Sequence, residues 1–498
     1  MGLYQYDATG LAELIRSKQI SADEAFDYVV SQIEALNPAI NAVIRTRYEA
    51  ARKELTQVDA DAPFAGVPFL TKDLLASIEG EILSFGSKAL ANNRATADAS
   101  LVKRFRKAGL VILGQTNTPE LGLMGITEPK AYGPSRNPWD LNRTPGGSSG
   151  GTAAAVAAGI VPMASGGDGG GSIRIPSSCC GLFGLKPSRG VQPIGPFIGE
   201  AWAGAVSEHV LTRSVRDSAA MLDITNGMDC GAAYPVKHQE GFLAASQKDP
   251  KPLRIGFSTK SPTGSFVDEE CKQAVANTVQ LLTELGHQVE EIELPLDGEQ
   301  LASSFFKVLM GQTAKDVASI AELAGTSVSR LDIELPTRSL YKIGSKLSAR
   351  DYLLAHSYWN ELSRNMGELH KTYDVIVTPT LATPPQPVGA LYPSAAELMS
   401  MRLLAIPGMS WLSLKLGMVE TMARDMLDKV PFTQIANMTG QPSMSVPLHW
   451  SRDGLPVGVQ FTGAIGEDAV LFSLAGQLER SAPWAERWPE LRAKHQAG

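Results

Sequence analysis

The chain has 498 residues, 44% of them hydrophobic and 19% charged, a composition that supports a large buried core. Its formal net charge of −7 leaves no basic footprint for nucleic acid. The four cysteines, Cys179, Cys180, Cys230 and Cys271, follow neither a zinc-ligand spacing nor a disulfide framework, which fits a reducing, cytoplasmic setting.

The first ten residues, MGLYQYDATG, show no basic stretch followed by an apolar run, so no signal peptide is expected. Tyr6 stands where myristoylation needs Ser or Thr. The nearest thing to an apolar span, Thr152 to Ala164, is too short to cross a membrane. Ser21 to Leu36 is the clearest helix: Ser21 and Glu24 form a capping box, and Phe26, Val29, Val30, Ile33 and Leu36 recur at helical spacing. Asn37-Pro38 is expected to end it.

Ala65 to Asp73 reads as a turn into a short buried strand. Lys72 follows its apolar run directly, an awkward place for a cation. Ser100 to Gly109 is a helix, Leu110 to Leu113 a strand, and Gly114-Gln-Thr-Asn-Thr-Pro the loop leaving it. The glycine-spaced apolar stretch Leu121 to Ile126 is a candidate pocket wall, with Leu121, Gly122, Met124 and Gly125 as candidate substrate contacts. Gly146 to Pro176 then places two Gly/Ser clusters around a compact alanine-rich helix, Ala153 to Ala158. The adjacent Cys179 and Cys180 read as small buried packing residues.

Ser214 to Met221 reads as helical. Leu253–Phe257, Asp268–Leu285 and Gln288–Leu294 read as strand, helix and strand, a parallel β-α-β unit. Leu301–Met310 and Tyr341–Met366 read as helices, and Tyr373 to Thr380 as a buried strand. The Met- and Leu-rich stretch Leu398 to Met426 reads as a helical core segment or an apolar cover over a substrate entrance. Pro431 to Pro447 and Gly454 to Phe461 supply the last helix and strands. The alternation of strands and helices argues α/β architecture, with no repeat or linker forcing a domain boundary.

Gly146-Gly-Ser-Ser-Gly formally matches the G-x-S-x-G nucleophile elbow, but Arg143-Thr-Pro ahead of it is no strand. No lysine follows Gly151 as a P-loop requires, and no His-Glu-x-x-His pattern occurs. A buried lysine can serve as base because burial favours its neutral amine. Lys72 meets that description, and two serines in the glycine clusters can attack and relay a proton.

Gly147-Ser-Ser-Gly-Gly through Asp168-Gly-Gly-Gly-Ser-Ile-Arg-Ile-Pro resembles the amidase signature family. So do Gly66-Val-Pro-Phe-Leu-Thr-Lys-Asp, Gln115-Thr-Asn, Cys180-Gly-Leu-Phe-Gly-Leu-Lys-Pro and Asn437-Met-Thr-Gly-Gln-Pro. The resemblance implies one domain over 1–498: an N-terminal helical part to about 60, catalytic motifs over about 61–200 and a helical substrate-side insertion over about 300–430. It implies a large mixed twisted sheet flanked by helices on both faces.

It also implies a Ser–Ser–Lys triad: Ser172 the nucleophile, Ser148 the bridging serine after a cis peptide from Gly147, and Lys72 the base. The N–H groups of Gly169, Gly170, Gly171 and Ser172 would form the oxyanion hole. Ser149, Asp168 and Arg174 would support the loops. One departure stands out: Gly167 precedes Asp168 where relatives often have Thr.

Within that family the chain is similar to bacterial amidases of hydrophobic or bulky amides, including the cyclic-dimer hydrolase type. The resemblance implies a small-molecule amide substrate, no cofactor or metal, and neither nucleic acid nor membrane as partner; a homodimer is left open. An ammonia-generating amidotransferase subunit is the alternative, although Ile175 stands where such subunits usually have Gln. Intact Lys72, Ser148 and Ser172 speak against a third reading, a non-catalytic binding protein.

Overall fold

The computed structural model describes residues 2–404, 424, 426–488 and 490–491. Eleven strands form one mixed sheet: β1 (Val43–Thr46), β2 (Pro68–Lys72), β3 (Val111–Thr116), β4 (Met163–Asp168), β5 (Phe183–Lys186), β6 (Ser207–Thr212), β7 (Arg254–Phe257), β8 (Gln288–Glu291), β9 (Val375–Pro379), β10 (Ser443–Trp450) and β11 (Pro456–Gly463). Their order is β1-β3-β2-β4-β6-β5-β10-β11-β9-β7-β8. The architecture is α/β.

Period-two alternation explains how both faces of this sheet are covered. Phe69 and Ile112 point into an apolar cluster with Phe105 and Leu101 of the Ser100–Lys107 helix. Their neighbours Leu70 and Leu113 point the other way, against the alanines of the Gly150–Ala157 helix and the Ala22–Ile40 helix. Fully buried strands cannot show polar alternation, so they read as short continuous apolar runs.

The β7–helix–β8 unit is parallel, as its pattern predicts. Other boundaries move. The first long helix keeps its Ser21–Glu24 capping box but continues through Pro38 to Ile40. Asn37 ends it by another route: its Oδ1 accepts from the N–H groups of Ala42 and Val43 just beyond the left-handed Asn41. β3 runs on through Gly114 to Thr116, because Gly114 packs against the Arg45 carbonyl of β1, where a Cβ would lie 2.3 Å away.

The N-terminal part is not purely helical, since β1 pairs antiparallel with β3 and forms the sheet edge. Tyr341–Met366 is two helices, Leu335–Gly344 and Ala349–Leu369. Ser348 caps the second by accepting the Asp351 N–H. The 300–430 stretch also contributes β9, which lies inside the sheet. Most of the expected Met-rich cover, residues 405–423 and 425, lies outside the described residues. No described helix is long and apolar enough to cross a membrane.

Candidate active site

Every residue of β2 is buried, and Lys72 at its end has no exposed surface. The Lys72 N–H donates to Ser165 Oγ at 2.9 Å, fixing the end of β2 against β4. Its Nζ lies 2.8 Å from Ser148 Oγ, 3.0 Å from Ser149 Oγ and 3.4 Å from the Gly167 carbonyl oxygen. Burial favours the neutral amine and outweighs the pull of Glu208 and Asp168 toward the charged form, bringing the pKa down to about 8.

The Ser148 loop is held from several sides. The Gly147–Ser148 peptide is cis. A Cβ at Gly147 would lie 2.6 Å from the Ile126 backbone, so only glycine fits there. Thr127 Oγ1 donates to the Gly146 carbonyl and accepts from the Gly150 N–H, tying the loop to the helix that leaves it. That helix, Gly150–Ala157, is buried along its length. The Ser149 N–H donates to the Ser172 carbonyl at 3.2 Å, which joins the two glycine clusters.

β4 delivers Asp168 to the second cluster. Arg174 grips its carboxylate through Nε at 3.0 Å and Nη2 at 2.9 Å, and both side chains are wholly buried. Asn437 Nδ2 donates to Asp168 Oδ1 and to the Asp168 carbonyl, each at 2.8 Å. Burial opposes ionisation of Asp168, but Arg174, Asn437 and Lys186 outweigh it and hold the carboxyl well below the usual range.

Asp168 also takes one expected oxyanion donor. The Gly171 N–H donates to its Oδ1 at 2.7 Å, so that group is already committed. Among the described residues, the N–H groups of Gly169, Gly170 and Ser172 meet no acceptor. Ser172 is half-buried, in contrast to Lys72 and Ser148.

The Leu121–Gly125 stretch divides. Gly122 approaches Ser148, with the position of a Cβ 3.3 Å from Ser148 Oγ. Gly125 faces Ile175 and Val430. Met124 is half-buried. The Leu121 side chain packs into an apolar cluster with Leu90, Val317 and Ile320.

Several residues at this site escape the sequence reading. Phe305 and Trp202 stand against the Gly170 and Gly169 backbone, where a Cβ would lie 3.0 and 2.9 Å from their rings. Thr433 Oγ1 donates to the Gly170 carbonyl at 2.7 Å. Glu208 lies on β6 beside Gly167 of β4. Its only sequence signal is a Glu-His pair inside an otherwise unremarkable buried segment. Among the described residues no cluster of His, Cys, Asp and Glu could hold a metal ion.

The family model described as Amidase matches residues 24–472. The chain is 36% identical to a 6-aminohexanoate-cyclic-dimer hydrolase of Paenarthrobacter ureafaciens, covering 97% of this chain and 96% of that one. A solved structure of 6-aminohexanoate cyclic dimer hydrolase complexed with substrate superposes with a TM-score of 0.88 at 34% identity, over 98% of this chain and 99% of that one. A bacterial aryl acylamidase gives 0.85 at 27% identity, over 99% of both chains. Fold and similarity together define a hydrolase of non-peptide amide bonds. The chain belongs to the amidase family, that of the amidase signature enzymes.

Proposed function

We propose that the chain is a free-standing amidohydrolase that cleaves hydrophobic or bulky amides through a Ser172 acyl-enzyme. Aryl, cyclic and linear oligoamides are the substrate class; esters and carbamates are accessible to the same chemistry. The observation that carries this reading is the buried Lys72 Nζ at 2.8 Å from Ser148 Oγ, on a loop hydrogen-bonded to the Ser172 backbone. Phe305 and Trp202 beside the Gly169–Gly170 backbone support an apolar acyl or amine group. Phe305 is itself stacked on Trp359 with ring centroids 6.4 Å apart. The enzyme works in the cytoplasm without a cofactor, alone or as a homodimer.

In the first step Ser172 Oγ attacks the amide carbon. Its proton passes to Ser148, whose own proton passes to neutral Lys72, while the carbonyl π electrons move onto the oxygen. The N–H groups of Gly169, Gly170 and Ser172 receive that oxyanion; each donor of this kind typically contributes ~3 kcal/mol to the transition state. The C–N bond then breaks as the Lys72 ammonium returns a proton through Ser148 to the leaving nitrogen. Water, activated by the same relay, releases the acid from Ser172.

Ser172→Ala is expected to lower p-nitroacetanilide hydrolysis by on the order of 10⁴-fold or more and to abolish labelling by a fluorophosphonate probe. Full activity in that variant would overturn the mechanism. Glutamine hydrolysis that required a partner protein, with no aryl amide cleavage by the chain alone, would favour the amidotransferase alternative.

A further inference from the structure

Glu208 is a buried acid whose carboxyl stands apart from the surrounding hydrogen bonds of the described residues. It is 3% exposed, its Oε1 is fully enclosed, and its carboxyl meets no hydrogen-bond or ion-pair partner among the described residues. Such a group is costly to bury and needs a physical account. Its position is specific. Glu208 of β6 pairs with Gly167 of β4, and a Cβ built on Gly167 would lie 1.9 Å from Glu208 Oε1 and 2.9 Å from its Cδ. The carboxyl therefore fills the space that any side chain at 167 would take. The carbonyl of this same Gly167 faces Lys72 Nζ and Ser149 Oγ.

The charges around this point are Lys72 on β2, Asp168 on β4, Arg174 on the following helix and Lys186 on β5. Asp168 is matched by Arg174 in a two-bonded ion pair. Lys186 Nζ donates to the Pro187 carbonyl, and burial, then Arg174, push its pKa down to about 7. Glu208 is left as the acid without a bonded cation, and it acts on Lys72 through space. Burial pushes its own carboxyl up to about 8, and Asp168 adds to that, while Lys72 opposes it, so the acid ionises over the same pH range in which Lys72 loses its proton.

We propose that Glu208, once ionised, is the counter-charge that sets the basicity of Lys72 and stabilises the ammonium formed when Lys72 takes the serine proton. Glu208 is a positioning residue: it touches neither substrate nor the reacting atoms, and no bond to it forms or breaks. The inference rests on Lys72 being the base, the reading given above. Glycine at 167 is then required because it leaves the space that the carboxyl occupies, next to the residue whose carbonyl faces the lysine.

The test follows the pH dependence of two rates, p-nitroaniline release from p-nitroacetanilide and labelling by a fluorophosphonate probe. In the wild type both should rise with pH as Lys72 and Glu208 lose their protons, each near 8. Glu208→Gln removes the charge and keeps the shape. Its acid limb should move to lower pH by about one unit, because a lone lysine is the weaker base. Its plateau should fall roughly three- to tenfold as the ammonium loses its counter-charge.

Glu208→Ala should move the limb in the same direction, and Glu208→Asp, which keeps the charge, should leave it near the wild-type position. A lower plateau with an unmoved limb, in whichever charge-removing variant folds, would reduce Glu208 to a packing role and overturn the proposal. So would a limb that moves to higher pH. Ser172→Ala in the same assays separates the two claims: if it is inactive while the Glu208→Gln limb stays put, the triad reading stands and the Glu208 inference falls.

Discussion

A methyl group at Gly167 and the carboxyl of Glu208 compete for one space, which turns a departure from the family pattern into a measurable coupling. The Cβ of Gly167→Ala would sit 1.9 Å from Glu208 Oε1, so the side chain or a strand must shift. Overpacking of this kind costs about 1–3 kcal/mol. Glu208→Ala empties the space, and in that background Gly167→Ala should be tolerated. A double-mutant cycle by urea unfolding is expected to give a coupling energy of roughly 1–3 kcal/mol, with the double variant more stable than the sum of the singles. Additive losses would mean that the two side chains do not share this space.

At the scale of elements, the short Gly150–Ala157 helix is what holds Ser148 and Ser149 against Lys72. It enters between strands too closely for side chains at its start: a Cβ at Gly151 would lie 2.4 Å from the Asn117 nitrogen and 2.7 Å from the Ala42 carbonyl oxygen. These are backbone atoms of two different segments, so neither can swing aside. Gly151→Ala should therefore destabilise the protein by roughly 2 kcal/mol or more in urea unfolding, despite the better helix propensity of alanine. An unchanged or raised midpoint would show that the helix has room to move.

This helix also shows what sequence can and cannot reveal. Alanines flanked by Gly/Ser clusters announce a tightly packed helix with serines at its ends, and Lys72 after an apolar run announces a buried amine. β6 announces nothing comparable. Ser-Glu-His-Val-Leu-Thr is buried at every position, so its polar residues cannot mark a solvent face, and Glu208 matters only through its distant neighbours on β2 and β4. The commitment of the Gly171 N–H leaves no sequence signal for the same reason: its capture by Asp168 depends on a turn that brings residue 171 back over 168. Pro38 misleads because the helix runs through it to Ile40, and Asn37 ends it by accepting from two later N–H groups.

For the molecule as a whole, the segment 213–217 clasps the two ends of the described chain. Arg213 donates to the Tyr4 and Tyr6 carbonyls, and Trp484 Nε1 donates to the Arg213 carbonyl at 2.8 Å. Asp217 accepts from the Ala8 and Thr9 N–H groups, and Asp7 pairs with Arg216. Glu479, on the Asp468–Ser481 helix, closes the set by accepting the Val215 N–H at 3.1 Å. Burial, aided by nearby Asp7 and Asp217, pushes the Glu479 carboxyl up to about 7 against the Val215 N–H and Arg216.

A carboxyl whose folded pKa lies above its unfolded value favours folding in its protonated form. That stabilisation is fully present below the unfolded value of about 4.3 and is lost as pH rises through about 7. Glu479→Gln has no proton to lose and can still accept the Val215 N–H. Between pH 5 and pH 8 the wild type should therefore lose roughly 1–3 kcal/mol more stability than Glu479→Gln. Urea unfolding of both proteins across that range measures the difference, and parallel pH profiles would place the titration elsewhere than at this clasp.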